Sequence, residues 1–118
     1  MSRLLLLALA MLLAVPAEAQ VKVGVYSSRD GGELTVIGLE GRSFEFRLTG
    51  TSVDGESKTR CLMEGTANMS AGVAAFDDRA SACRLSFQMD GTNVRIRQTG
   101  LCHCKSGTPF QGTYVPRG

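Results

Sequence analysis

The sequence predicts an all-β protein, with about eight short antiparallel strands in a meander that forms a small up-and-down barrel or sandwich stapled by two disulfides. Three observations predict it. Apolar and polar residues alternate in short runs, Asp-Gly and related loop signals cut the chain between those runs, and four cysteines, an even number, sit in a chain of 118 residues. Small exported domains use such cysteines as cross-links.

Export is read from the start of the chain, MSRLLLLALAMLLAVPAEA. One cation, Arg3, precedes an apolar stretch from Leu4 to Val15, then Pro16 and the small-residue pattern Ala17-Glu18-Ala19. That is the layout of a secretory signal peptide. The apolar stretch is shorter than the roughly 20 residues that span a bilayer. Residues 1–19 are therefore expected to be cleaved before Gln20, leaving a single barrel-like domain over 20–118 in the periplasm or outside the cell, with no stable membrane insertion. The formal net charge is +2, and the leader removes one base and one acid, so the mature balance is unchanged. With both signs interspersed, nothing in the charge calls for a nucleic-acid partner.

The first strand, about 21–28, alternates Val21, Val23 and Val25 with Lys22, Gly24 and Tyr26. Asp30-Gly31-Gly32 separates it from the second, about 33–39, which ends at Glu40-Gly41. The third, about 43–50, sets Phe44, Phe46 and Leu48 against Glu45, Arg47 and Thr49. Asp54-Gly55 leads to the fourth, about 58–67, and Ser70-Ala71-Gly72 to the fifth, about 73–77. The sixth, about 82–89, carries Cys83, Leu85, Phe87 and Met89 on one face and Arg84, Ser86 and Gln88 on the other. Asp90-Gly91 turns it into the seventh, about 93–99, and after Ser106-Gly107 the eighth covers about 109–115. Asp-Gly suits such turns because its second residue must accept positive φ. No stretch after the leader sustains a 3.6-residue apolar period.

An echo between the ends favours closure. Gly24-Val25-Tyr26 and Gly112-Thr113-Tyr114 share the pattern Gly-x-Tyr, and an up-and-down barrel would set the first and last strands side by side and remove both sheet edges. Inward residues such as Phe44, Phe46, Leu85, Phe87, Val94 and Ile96 each bring about 2 kcal/mol of burial. They predict an interior filled by its own side chains. On the outer face, Arg84, Arg95 and Arg97 form a stripe that could meet an acidic partner or serve as an ordinary solvated strand face.

The motif with the most chemistry is Gly100-Leu101-Cys102-His103-Cys104. It holds the one histidine of the chain. In an extended segment His103 points away from both neighbouring cysteines, so neither gains a base. There is no Gly-x-Ser-x-Gly elbow, and Asp30, Asp54 and Asp90 occupy turns, so the reading is no enzyme and no cofactor. Cys61, Cys83, Cys102, Cys104 and His103 lack the paired spacing of structural zinc ligands, so no metal is expected. A bridge between Cys102 and Cys104 would close a strained ring. Two longer bridges use all four thiols. Pairing Met89 with Val94 and Phe87 with Ile96 carries Cys83 to the level of Gly100, so one loop cysteine bridges Cys83 and the other Cys61. The reading leans to Cys83 with Cys104 and Cys61 with Cys102, with the other connectivity left open.

From RCLMEGTANM through CRLSFQMDGTNVRIRQTGLCHC to FQGTYVP, the chain resembles small exported bacterial proteins. Their shared pattern is a Cys-x-x-x-Gly-x-Ala strand, a Cys-Arg-Leu-x-Phe strand, a cysteine-bearing loop and a closing Gly-x-Tyr. The resemblance implies a periplasmic β-barrel-like domain. It also suggests an analogy with periplasmic lysozyme inhibitors, which plug an enzyme cleft with a loop, although the sequence carries no inhibitory loop motif of that kind. The expected function is a non-catalytic exported binding or inhibitor-type module with an envelope or host protein as partner. The alternative is a small-ligand-binding barrel of lipocalin or avidin type.

Overall fold

The computed structural model describes residues 21–104 and 106–117; the leader and its expected cleavage point before Gln20 lie outside them. Eight strands follow in order: β1 Gly24–Ser28, β2 Glu33–Glu40, β3 Ser43–Asp54, β4 Ser57–Ser70, β5 Val73–Asp78, β6 Cys83–Asp90, β7 Asn93–Thr99 and β8 Gly112–Pro116. Each pairs antiparallel with the next, and β8 returns to β1 through Tyr26↔Pro116, Ser27↔Val115 and Ser28↔Tyr114. The sheet is a closed barrel in sequence order, so of the two architectures the sequence allows, barrel or sandwich, the barrel is the one formed.

The Gly-x-Tyr echo marks the closing seam. Tyr26 and Tyr114 are both buried. The Tyr26 hydroxyl donates to the Lys22 carbonyl at 2.7 Å and the Tyr114 hydroxyl to the Phe110 carbonyl at 2.8 Å, each four residues back. A buried phenol needs such an acceptor.

The alternation places Leu34, Val36, Phe44, Phe46, Leu48, Leu85, Phe87, Val94 and Ile96 inside, each about 1 % exposed or less. Phe87 stacks edge-on against Phe44, centroids 5.4 Å apart, and tilts against Phe46 at 5.0 Å. Phe76 meets Phe46 at 5.1 Å and lies over Gly65, where a Cβ would run into its ring.

Two strands are longer than the sequence suggests. β3 continues past its last β2 partner, Thr49, to Asp54, and β4 starts at Ser57. The ladder from β4 to β5 covers only Asn68, Met69 and Ser70. The outer half of the β3–β4 hairpin therefore extends beyond the ladders on either side of it. The last strand is shorter than expected and begins at Gly112, because Phe110 turns into the core and is fully buried.

The two halves of the barrel repeat each other. Residues 34–50, LTVIGLEGRSFEFRLTG, match 85–100, LSFQMDGTNVRIRQTG, with one extra residue at Ile37. That residue falls where the β2–β3 register shifts, between Val36 and Gly38. Pairing follows the match: Leu34↔Leu48, Val36↔Phe46 and Leu39↔Phe44 in one half, Leu85↔Gln98, Phe87↔Ile96 and Met89↔Val94 in the other. The match extends outward, since Tyr26↔Leu34 corresponds to Phe76↔Leu85 and Phe46↔Gly65 to Ile96↔Gly112. The barrel is two equivalent four-stranded units, β1–β4 and β5–β8.

Candidate functional site: a loop clamped by both disulfides

In an antiparallel meander alternate connections share an end, so the β3–β4 turn, the β5–β6 turn and the long segment between β7 and β8 gather together. That segment starts at Gly100. Its φ is +85°, and the place of a Cβ there is taken by the Ala82 carbonyl. The next four residues form a tight turn, with Cys104 N–H donating to the Leu101 carbonyl at 2.9 Å. Cys102 (φ 52°) and His103 (φ 63°) are both left-handed. This conformation costs about 1–2 kcal/mol for each L-residue, so it persists only where the surroundings fix it.

The disulfides do the fixing. Cys83 bridges Cys102 with Cα atoms 4.6 Å apart, and Cys61 bridges Cys104 at 5.7 Å. The expected register holds, with Phe87 opposite Ile96 and Met89 opposite Val94. The favoured partition of the cysteines does not. The chain does not curl back after Gly100. Instead the turn leaves Cys102 beside Cys83 and carries Cys104 across to β4.

The underside of the segment is anchored as well. Gln98, 6 % exposed, donates through Nε2 to the Gly100 carbonyl at 2.8 Å and accepts from Phe110 N–H at 2.9 Å. It ties the start of the segment to its end. Ser52, on β3, donates to the Ser106 carbonyl at 2.7 Å and accepts from Ser106 N–H at 3.1 Å. Pro109 packs on Gly50, which has no room for a side chain. The projecting hairpin and the clamped loop thus form one joined structure.

The upper side faces solvent. Leu101 is 53 % exposed, and His103 Nε2 lies 2.9 Å from Asp78 Oδ2. Asp78 also accepts from Ser81 Oγ at 3.0 Å and from Ala80 N–H at 3.1 Å. The hydrogen bond to His103, and after it the one from Ser81, holds the Asp78 carboxyl below its ordinary 3.8. Beside the pair runs a cleft of about 390 Å³ lined in part by Asp77, Asp78, Arg84 and Thr99.

Ser81, Asp78 and His103 stand together, but the carboxylate lies between the hydroxyl and the imidazole. Nucleophilic activation needs the imidazole in the middle. Here Ser81 gives its hydrogen bond to an acid that is already engaged. All four cysteines, Cys61, Cys83, Cys102 and Cys104, are in bridges.

The predicted arginine stripe lies on the outside of β6 and β7, where Arg84 pairs with Thr99, Ser86 with Arg97 and Gln88 with Arg95. Arg84 binds Asp77 at 2.8 Å and Arg95 binds Asp90 at 3.2 Å. Among the described residues Arg97 makes no ion pair. Sequence reasoning missed Asp78, Ser81, Ser52 and Gln98. Asp78 and Ser81 meet across the short β5–β6 turn, and nothing local in the sequence signals the contacts of Ser52 with Ser106 or of Gln98 with Phe110.

No protein-family model, curated protein or solved structure matches the chain. The fold and the bridges define a disulfide-clamped, eight-stranded up-and-down barrel. Disulfides of this kind belong to an oxidising, extracellular-type compartment, and no helix among the described residues is long and apolar enough to cross a membrane.

Proposed function

We propose that the protein is a non-catalytic, exported binding or inhibitor-type module of the bacterial envelope, and that the clamped loop with its neighbouring hairpin is the surface it presents to an envelope or host protein. One observation carries this reading: both disulfides end within three residues, on either side of His103. Stability alone would be served by cross-links placed anywhere. Both fall at the base of one exposed, left-handed turn, which sets its shape before any partner arrives, and rigidity of that kind lowers the ordering cost of binding.

The core supports the module over a lipocalin- or avidin-like carrier. Phe44, Phe46, Phe76 and Phe87 occupy the interior that a central ligand would need. A cleaved signal peptide over 1–19 and a periplasmic or secreted location are part of the same proposal, and the oxidising compartment that the disulfides call for supports it.

The test is capture from envelope extract and from lysozyme-containing secretions with three immobilised proteins: wild type, Leu101→Asp with His103→Ala, and Arg95→Glu with Arg97→Glu. A partner held by wild type and lost from the loop variant supports the reading. A partner lost only from the arginine variant moves the surface to β6–β7, and equal retention by all three overturns the proposal.

A further inference from the structure

At the barrel end opposite the clamped loop, the residues before β1 and the β2–β3 and β4–β5 turns enclose a groove of about 800 Å³. Val21, 1 % exposed, and Phe44 close it toward the core. Met69 and the half-exposed Leu39 form its walls. Among the described residues Lys22 and Arg42 line it and no carboxylate does. Neither cation makes an ion pair among the described residues.

The backbone around these cations is fixed. Met69 N–H donates to the Arg42 carbonyl at 2.7 Å, and the Lys22 carbonyl accepts from the buried Tyr26 hydroxyl at 2.7 Å. The repeat shows that this charge is local. The equivalent turn in the other half has Thr92 where this one has Arg42, and its nearby Arg95 is neutralised by Asp90.

A groove of this volume lies within the roughly 300–1,000 Å³ range of small-molecule sites. Two cations at its rim, neither with an ion-pair partner among the described residues, select the charge of the occupant. We infer that the groove binds a single-chain amphiphile with an anionic head, its chain against Leu39 and Met69 and its head at Lys22 and Arg42. This site stands apart from the clamped loop and does not rest on the reading of that loop.

Calorimetric titration of the exported protein with monomeric dodecanoate, dodecyl phosphate, dodecanol and dodecyltrimethylammonium tests it. Dodecanoate or dodecyl phosphate binds at one site, at least about tenfold tighter than the neutral and cationic chains, and the tighter of the two identifies the head. Lys22→Glu with Arg42→Glu weakens that binding by about tenfold or more, while Thr92→Glu at the equivalent turn leaves it unchanged. Circular dichroism of each variant confirms that the barrel is intact. Equal binding of all four chains, or binding indifferent to the double substitution, overturns the inference. Binding to vesicles of anionic phospholipid without binding of either monomeric anion also overturns it, and makes this end a membrane-facing surface instead.

Discussion

His103 Nε2 lies 2.9 Å from Asp78 Oδ2, which ties the apex of the clamped loop to the last residue of β5. The tie depends on an ionised carboxylate. Because the Asp78 pKa is lowered in the folded state, its contribution to stability is present above the ordinary value of 3.8 and is lost as pH falls through the depressed folded value. His103→Ala should therefore move the Asp78 titration midpoint upward toward 3.8, as read by carboxyl-carbon NMR. Its stability deficit against wild type should be visible above that pH and fade in stronger acid. A midpoint that does not move would separate the two residues.

The alkaline limb has a different owner. Burial pushes the Tyr114 phenol up from 10.0 to about 12, with a hydrogen bond from Ser28 opposing the shift. A raised folded pKa gives stability that is complete below the unfolded value and is lost as pH rises through the folded one. Denaturant midpoints should fall between pH 10 and about 12, and Tyr114→Phe should flatten that fall. An unchanged slope in Tyr114→Phe would place the alkaline transition elsewhere.

The bridges should differ in what their loss does. Cys83–Cys102 spans 19 residues and Cys61–Cys104 spans 43. Chain entropy assigns them about 3 and about 4 kcal/mol. Urea unfolding of the two double-serine variants should show large losses in both and the larger one for Cys61 with Cys104. The reverse order would mean that strain or residual structure outweighs loop length.

Much of this barrel is legible in its sequence because period-two alternation and Asp-Gly turns are local signals. Phe44, Phe46, Leu85 and Phe87 fall on the inner face as their spacing requires, and the Asp90-Gly91 turn fixes the β6–β7 register down to Cys83. What is illegible depends on more distant events. The polar run Thr51-Ser52-Val53-Asp54 carries no clear alternation, yet it is strand because Ser57–Arg60 pairs with it. Phe110 reads as strand but serves as a plug. The internal repeat is masked by the one-residue bulge at Ile37, which shifts the phase of the match. The partition of the cysteines turns on positive φ at Cys102 and His103, and neither residue type announces that conformation.

Close approach at Gly65 gives a direct packing prediction. Gly65→Ala sets a methyl group against the Phe76 ring, which must shift within the aromatic cluster, so a loss of about 1–3 kcal/mol is expected. Thermal unfolding measures it. A neutral result would show that Phe76 can move without cost.

The repeat predicts that the order of the two units can be exchanged. Both ends of the barrel sequence lie beside one another at the β1–β8 seam, where Arg117 N–H donates to the Val25 carbonyl at 2.8 Å. A circular permutant that joins these ends through a short flexible linker and opens the exposed Ala71-Gly72 turn should fold with the same strand pairing and the same two bridges. Its far-ultraviolet circular dichroism and its non-reduced peptide map should match those of the parent. A permutant that fails to form both bridges would show that the β4–β5 turn is needed to bring the units together.

The claim that both cross-links meet at one exposed turn is tested most directly by mass spectrometry of the non-reduced protein after proteolysis between Cys102 and Cys104. The expected fragments join Cys61 to Cys104 and Cys83 to Cys102, with no free thiol. A Cys102–Cys104 link with Cys61 and Cys83 reduced would contradict it and remove the rigid loop on which the proposed recognition surface depends.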